Sequence, residues 1–252
     1  MLHDSMAAVM LRFLTRDSLR RRARRLTTDP RALERFAGEL AASGLLVRIN
    51  EAKREFETAV SGTTYRGDPY GFGGMSAEVS VRLYGLVREL RPGVLVETGV
   101  CNGVSTAVIL CALERNGAGK LHSIDLPEHT DTVYDQDDFW EGKKGAAVPK
   151  DKAPGWVIPD ELRERWELEL GRSQDELQRL LHRLGAIDFF LHDSEHSPEC
   201  MSFEYQAAWK HLRSGGVLAS DDVRWNTVFE DFARERARET HQLSENLTFI
   251  VK

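Results

Sequence analysis

The chain has 252 residues, 41% of them hydrophobic and 29% charged, with a formal net charge of −6. This composition suits one α/β domain with additions and a sizeable buried core, and its acidity excludes a global attraction to nucleic acid. Cys101, Cys111 and Cys200 lack the paired spacing of a disulfide framework or a zinc site, and no run approaches the roughly 18 apolar residues of a membrane span, so reduced thiols in a cytoplasmic protein are expected.

In chain order, residues 6–14 are mostly apolar, and Arg16, Arg20, Arg21, Arg22, Arg24 and Arg25 follow. A secretory signal carries its charge ahead of its apolar part, so this order argues against export. As a helix, residues 1–26 are amphipathic and basic. They fit either a cover over the main domain or a contact with an anionic membrane surface or a partner. Pro30, after Thr27, Thr28 and Asp29, marks a helix start, with Leu33, Phe36, Ala37 and Leu40 at helical spacing. Residues 45–60 read as another helix, and these N-terminal helices offer a surface for a homo-oligomer. The glycines and Pro69 of residues 61–74 disfavour regular structure. The spacing thus predicts an N-terminal helical extension with a Gly-rich segment over 1–75, and a main domain over 76–252.

Ser76 caps a predicted helix whose apolar face is Val79, Leu83, Leu86 and Leu90. Strands then alternate with helices: VLVETG (94–99), LHSIDL (121–126), WELELG (166–171), IDFFLHD (187–193) and GGVLASDD (215–222). Helices are predicted over 105–113, from Ser173 through Leu184, over 199–212 and over 227–239, and LTFIVK closes the chain as a strand. The alternation implies a doubly wound, mostly parallel sheet with helices on both faces. Residues 127–160 form a long polar insertion. Tyr134, Phe139, Trp140 and Trp156 within it either cap an acceptor or pin the loop to the body.

Ligands of such sheets bind beyond the carboxyl ends of the strands. After the first strand stands ETGVCNGVS, which offers Glu97, Gly99, Asn102, Gly103 and Ser105 as a candidate cofactor loop; after the second stands Asp125, placed to accept hydrogen bonds from ribose hydroxyls. The spacing of Gly99 and Gly103 is not that of a dinucleotide loop. A carboxylate at Glu97 repels a pyrophosphate but suits a cation, and S-adenosylmethionine carries a sulfonium and an ammonium with no phosphate. After the fourth strand come Asp193, Glu195 and His196, and after the fifth come Asp221 and Asp222. Three carboxylates converging at one rim repel one another unless a cation sits among them, and hard oxygen ligands suit magnesium. The alternative is that they cap helices or pair with arginines. His196, three residues beyond Asp193, is a candidate general base. No G-x-S-x-G elbow accompanies Ser105, Ser194 or Ser220, which argues against a hydrolase.

These motifs resemble those of class I S-adenosylmethionine-dependent methyltransferases. VLVETGVCNGVST is similar to their glycine-rich first motif, and HSIDL to their second strand with its ribose-binding acid. More narrowly, IDFFLHDSEHSPECM and AWKHLRSGGVLASDD resemble the macrocin O-methyltransferase and cephalosporin-hydroxylase-like group, which carries D-x-x-H after the fourth strand and paired acids after the fifth. The resemblance covers about residues 76–252. It implies a Rossmann-like methyltransferase fold and adenosylmethionine contacts at Glu97, Gly99, Ser105 and Asp125. It also implies magnesium on Asp193, Asp221 and Asp222, a base at His196, and methyl transfer to a small-molecule hydroxyl. The competing expectations are a nicotinamide-dependent oxidoreductase and a non-catalytic binding module on the same fold.

Overall fold

The computed structural model describes residues 29–65, 68–130 and 146–252. The basic helix expected over residues 1–26 lies outside them, as do Tyr134, Phe139 and Trp140 of the insertion. Helix α1 (Pro30–Ala42) starts where the sequence places it, because the Asp29 side chain accepts a hydrogen bond from the Arg31 amide and Pro30 fits the first turn. Helix α2 (Leu45–Ala59) follows, then two short antiparallel strands, β1 (Thr64–Tyr65) and β2 (Asp68–Pro69). Helix α3 (Ala77–Leu90) is capped by the Ser76 hydroxyl, which accepts from the Val79 amide.

The main sheet is built from β3 (Val94–Thr98), β4 (Lys120–Asp125), β5 (Trp166–Leu170), β6 (Ile187–His192), β7 (Leu212–Ser220), β8 (Thr240–Gln242) and β9 (Thr248–Val251). Its order is β5-β4-β3-β6-β7-β9-β8. Pairs β3–β4, β4–β5, β3–β6 and β6–β7 are parallel, whereas β9 runs antiparallel to both β7 and β8. The intervening helices are α4 (Val104–Asn116), α5 (Ser173–Leu184), α6 (Pro198–His211) and α7 (Val228–Glu235).

Side chains alternate across the sheet and supply two cores. Leu95, Phe189 and Val217 face the layer of α1, α3 and α4; Val96, Phe190 and Leu218 face α5, α6 and α7. Both faces are covered, which is why these strands are continuous apolar runs rather than alternating ones. Helix α4 is buried along the whole of Val104–Leu113 because the sheet, α3, α2 and the turn at Asp160–Arg165 pack around it. The strand order reverses between β3 and β6, and the crevice for a ligand opens at their carboxyl ends.

Three details depart from the sequence expectations. Strand β7 begins at Leu212, directly after α6, with a register shift against β6 between Ile187 and Phe189. The last helix stops at Glu235, and Ala237 takes a left-handed φ of 50° before the chain enters β8, an additional strand. Within the insertion, Ala147, Val148, Val157 and Ile158 are buried, so this part packs as core rather than as a solvated loop. Among the described residues, no helix is long and apolar enough to cross a membrane.

Candidate active site

Backbone bonds carry the parallel ladder past the strand ends. The Gly99 amide donates to the Ile124 carbonyl, the Asp193 amide to Thr98 and the Asp221 amide to His192, each at 2.9 Å. These bonds place the residues after β3, β4, β6 and β7 around one cleft of about 1060 Å³. Asp125, Glu128, Asp193, Asp221 and Asp222 stand on its wall, and among the described residues Arg172 is its single Lys or Arg.

Asp125 faces this cleft with one oxygen uncommitted. Its Oδ1 accepts from the Val100 amide at 3.0 Å and the Cys101 amide at 3.4 Å. Its Oδ2 is buried without a hydrogen-bond partner among the described residues. Burial raises the Asp125 carboxyl above its ordinary value, although the two amides pull it back. A buried carboxylate oxygen without donors is costly, and a diol would supply them.

Glu97 is corrected by the structure. It does not reach the cleft wall: its side chain is fully buried, accepting from Ser105 Oγ at 2.7 Å, Thr106 Oγ1 at 2.8 Å and Ser123 Oγ at 2.9 Å. Burial pushes its carboxyl up to about 7 against the pull of the three hydroxyls. The acid expected to meet a cation is instead a clamp joining β3, α4 and β4, and Ser105, although on the cleft wall, spends its proton on that clamp.

Asn102 departs from expectation in the same way. Its Nδ2 donates to the Phe72 carbonyl at 2.5 Å and the Ala147 carbonyl at 2.9 Å, and its Oδ1 accepts from the Trp156 indole. It staples two loops to the glycine turn, and Trp156 pins the insertion to the body rather than capping an acceptor. The two glycines answer to protein neighbours. A Cβ on Gly99, at φ 85°, would stand 2.0 Å from the Asp193 carbonyl oxygen, and one on Gly103, at φ 93°, would stand 2.7 Å from Gly155 Cα.

The later acids do share a rim. Burial, and then the charges of Asp221, Glu97 and Asp222, hold the Asp193 carboxyl well above the usual range. Asp221 is pushed up to about 6 by burial and by Asp222. Burial also raises Asp222, with the His192 ring pulling it back. Yet among the described residues, no group of three or more His, Cys, Asp or Glu side chains stands as a cage for a metal ion. Asp222, in a left-handed conformation with φ 49°, sets Oδ2 3.5 Å from His196 Nε2. Asp193, Asp221 and Asp222, the residues expected to hold magnesium, line the same cleft, and Asp222 stands beside His196. His196 itself is buried on the cleft wall in contact with two rings, His192 and Trp225.

A layer beneath the rim was missed. Alternation turns His192 away from Asp193 into the α6 layer, where its Nδ1 meets Glu204 Oε2 at 2.6 Å with both side chains fully buried. The signal lay in α6 itself, where Cys200, Met201, Glu204, Tyr205 and Ala208 form the buried stripe and Glu204 is its one acid.

No curated protein matches the chain. Among solved structures, the O-methyltransferase NovP is 15% identical, with 74% of this chain and 85% of that chain covered and a TM-score of 0.53. The O-methyltransferase TomG from Streptomyces achromogenes is 16% identical over 89% of this chain and 90% of that one, at a TM-score of 0.49. An O-methyltransferase from Bacillus cereus is 15% identical over 89% and 92%, at 0.49. At such identity the likeness to NovP is one of fold. The stretch from Val96 in β3 to Val223 beyond β7 holds the ends of β3, β4, β6 and β7 that reach the cleft. A family model described as a methyltransferase domain matches residues 96–223, just over half of the chain, and the chain therefore belongs to that methyltransferase-domain family.

Proposed function

We propose that this chain transfers a methyl group from S-adenosylmethionine to a hydroxyl oxygen of a small molecule. The observation that carries the reading is Asp125, which lines an acidic cleft at the point where the strand order reverses and whose buried Oδ2 has no hydrogen-bond partner among the described residues. An acidic wall disfavours the phosphates of a nicotinamide dinucleotide and favours a cation. S-adenosylmethionine supplies a methyl group already activated on a sulfonium. Asp125 accepts its ribose hydroxyls, and a cation in the cleft offsets the burial and mutual repulsion that push the Asp193 and Asp221 carboxyls up.

At the far side of the cleft, His196 Nε2 takes the acceptor's hydroxyl proton as the oxygen attacks the methyl carbon. Asp222, 3.5 Å from that nitrogen, stabilises the imidazolium that results. Trp225, about half exposed on the cleft wall, gives the acceptor an apolar face. The proton transfer is written through His196, since among the described residues no group of three such side chains stands as a cage for a metal ion. Rates in excess chelator and in added magnesium check this directly: they are expected to agree, and a loss restored by magnesium would return the acids to an ion.

The test of the whole reading is calorimetry with S-adenosylmethionine, S-adenosylhomocysteine and NADH on the full chain. Heat is expected from the first two only. Transfer of labelled methyl to a panel of sugar, phenol and polyketide hydroxyls then identifies the acceptor. Binding of NADH alone would move the assignment to an oxidoreductase.

A further inference from the structure

We propose that Glu204 and His192 form a positioning pair that fixes the ring of His196 and the path of residues 193–196. The inference rests on the reading of His196 as the proton acceptor.

Glu204 lies in the apolar stripe of α6 and is fully buried. An apolar residue would fill that stripe at no electrostatic cost, whereas a buried carboxylate needs several donors to be tolerated. Those donors come from the ends of two strands and the loop between them and α6. Thr98 Oγ1, at the end of β3, donates at 2.5 Å; His192 Nδ1, at the end of β6, stands at 2.6 Å; Ser194 Oγ donates at 2.8 Å. One carboxylate thus ties together β3 and β6, where the strand order reverses, and the first turn of the loop that carries Asp193 and His196.

Burial would push the Glu204 carboxyl up, but the His192 ring and the hydroxyls outweigh it and hold the group below its ordinary value. An ionised carboxylate only accepts, so the ring nitrogen facing it at 2.6 Å, Nδ1, carries a proton. The far edge of that ring is buried, and its Nε2 has no hydrogen-bond partner among the described residues. The ring stands edge-on to His196, with centroids 5.2 Å apart and planes at 84°. His196 also contacts Trp225, at 5.1 Å and 55°. His196 therefore packs against two rings, one of them held by Glu204, with Nε2 3.5 Å from Asp222.

Long-range proton–nitrogen spectra of the full chain labelled with 15N-histidine, with S-adenosylhomocysteine as the probe, test this without an acceptor. In the unaltered protein, His192 is expected as the Nδ1–H tautomer; the Nε2–H tautomer would overturn the proposal. Glu204→Leu is expected to move and broaden the His196 ring signals, while Glu204→Gln, which keeps an acceptor, restores them. S-adenosylhomocysteine affinity should stay within about twofold, since the pair lies outside the cofactor contacts. His196 signals unchanged in Glu204→Leu would also overturn the proposal. Rates separate it from the reading beneath it. With an acceptor that the unaltered chain methylates, full activity of His196→Asn sinks the base assignment. Activity lost there but intact in Glu204→Leu sinks the positioning pair, whose expected effect is roughly a tenfold fall in kcat at constant KM.

Discussion

At the scale of single residues, two acids on neighbouring strands, Asp125 and Glu97, have opposite duties, and burial geometry assigns them. Asp125 keeps one oxygen for a ligand. Asp125→Asn retains an acceptor for the Val100 amide but loses the charge that favours two diol donors. A charge-assisted hydrogen bond is worth about 1.5–3 kcal/mol, so S-adenosylhomocysteine affinity should fall roughly tenfold or more by calorimetry. Glu97 spends both oxygens inside the protein, and its titration becomes a stability effect. Its carboxyl rises from 4.5 to about 7 on folding. The favourable contribution is therefore complete below the unfolded value and is lost as pH rises through the folded one, a change on the order of 3 kcal/mol. Glu97→Gln removes that slope. Denaturant unfolding at about pH 5 and about pH 8 should show the variant gaining on the parent as pH rises. A constant difference between the two would mean that Glu97 does not titrate in this window.

At the scale of elements, the glycine turn after β3 is a junction between loops. Gly103 opens α4 at φ 93°, and its missing Cβ is where Gly155 passes. Gly103→Ala adds both backbone strain and a collision with main chain, for a loss of about 3 kcal/mol in thermal or denaturant unfolding. Asn102, one residue earlier, holds Phe72, Ala147 and Trp156 together. Asn102→Ala leaves two carbonyls and an indole without their partner at a cost of about 2 kcal/mol. Limited proteolysis should then cut first within residues 146–157, where the parent resists. Cleavage elsewhere would show that the staple is not what holds this segment.

At the scale of the molecule, the helices ahead of the matched domain are part of its core. Phe36 and Leu40 of α1 are buried over α3 and α4, and Phe36 meets Tyr84 edge to face, with ring centroids 6.2 Å apart. Phe36→Ala is expected to cost about 3–5 kcal/mol and to lower the single unfolding transition. Two transitions, with only the first moved, would make α1 and α2 an independent layer.

Much of this was legible in the residues. The β-branched runs, Asp29 and Ser76 as caps, and the acids at 125, 193, 221 and 222 at strand ends follow from short-range rules of period and capping, which a sequence obeys residue by residue. The mostly parallel sheet followed as well, since strands separated by helices must cross over. What only the tertiary structure decided is which way each acid faces and what it meets. Glu97 turned inward because α4 and β4 bring three hydroxyls to it from positions 105, 106 and 123; Asn102 was claimed by loops dozens of residues away; and Glu204 reached under the ends of β3 and β6 to hold His192. Such partners are set by packing between distant segments, and no local period encodes the distance between them.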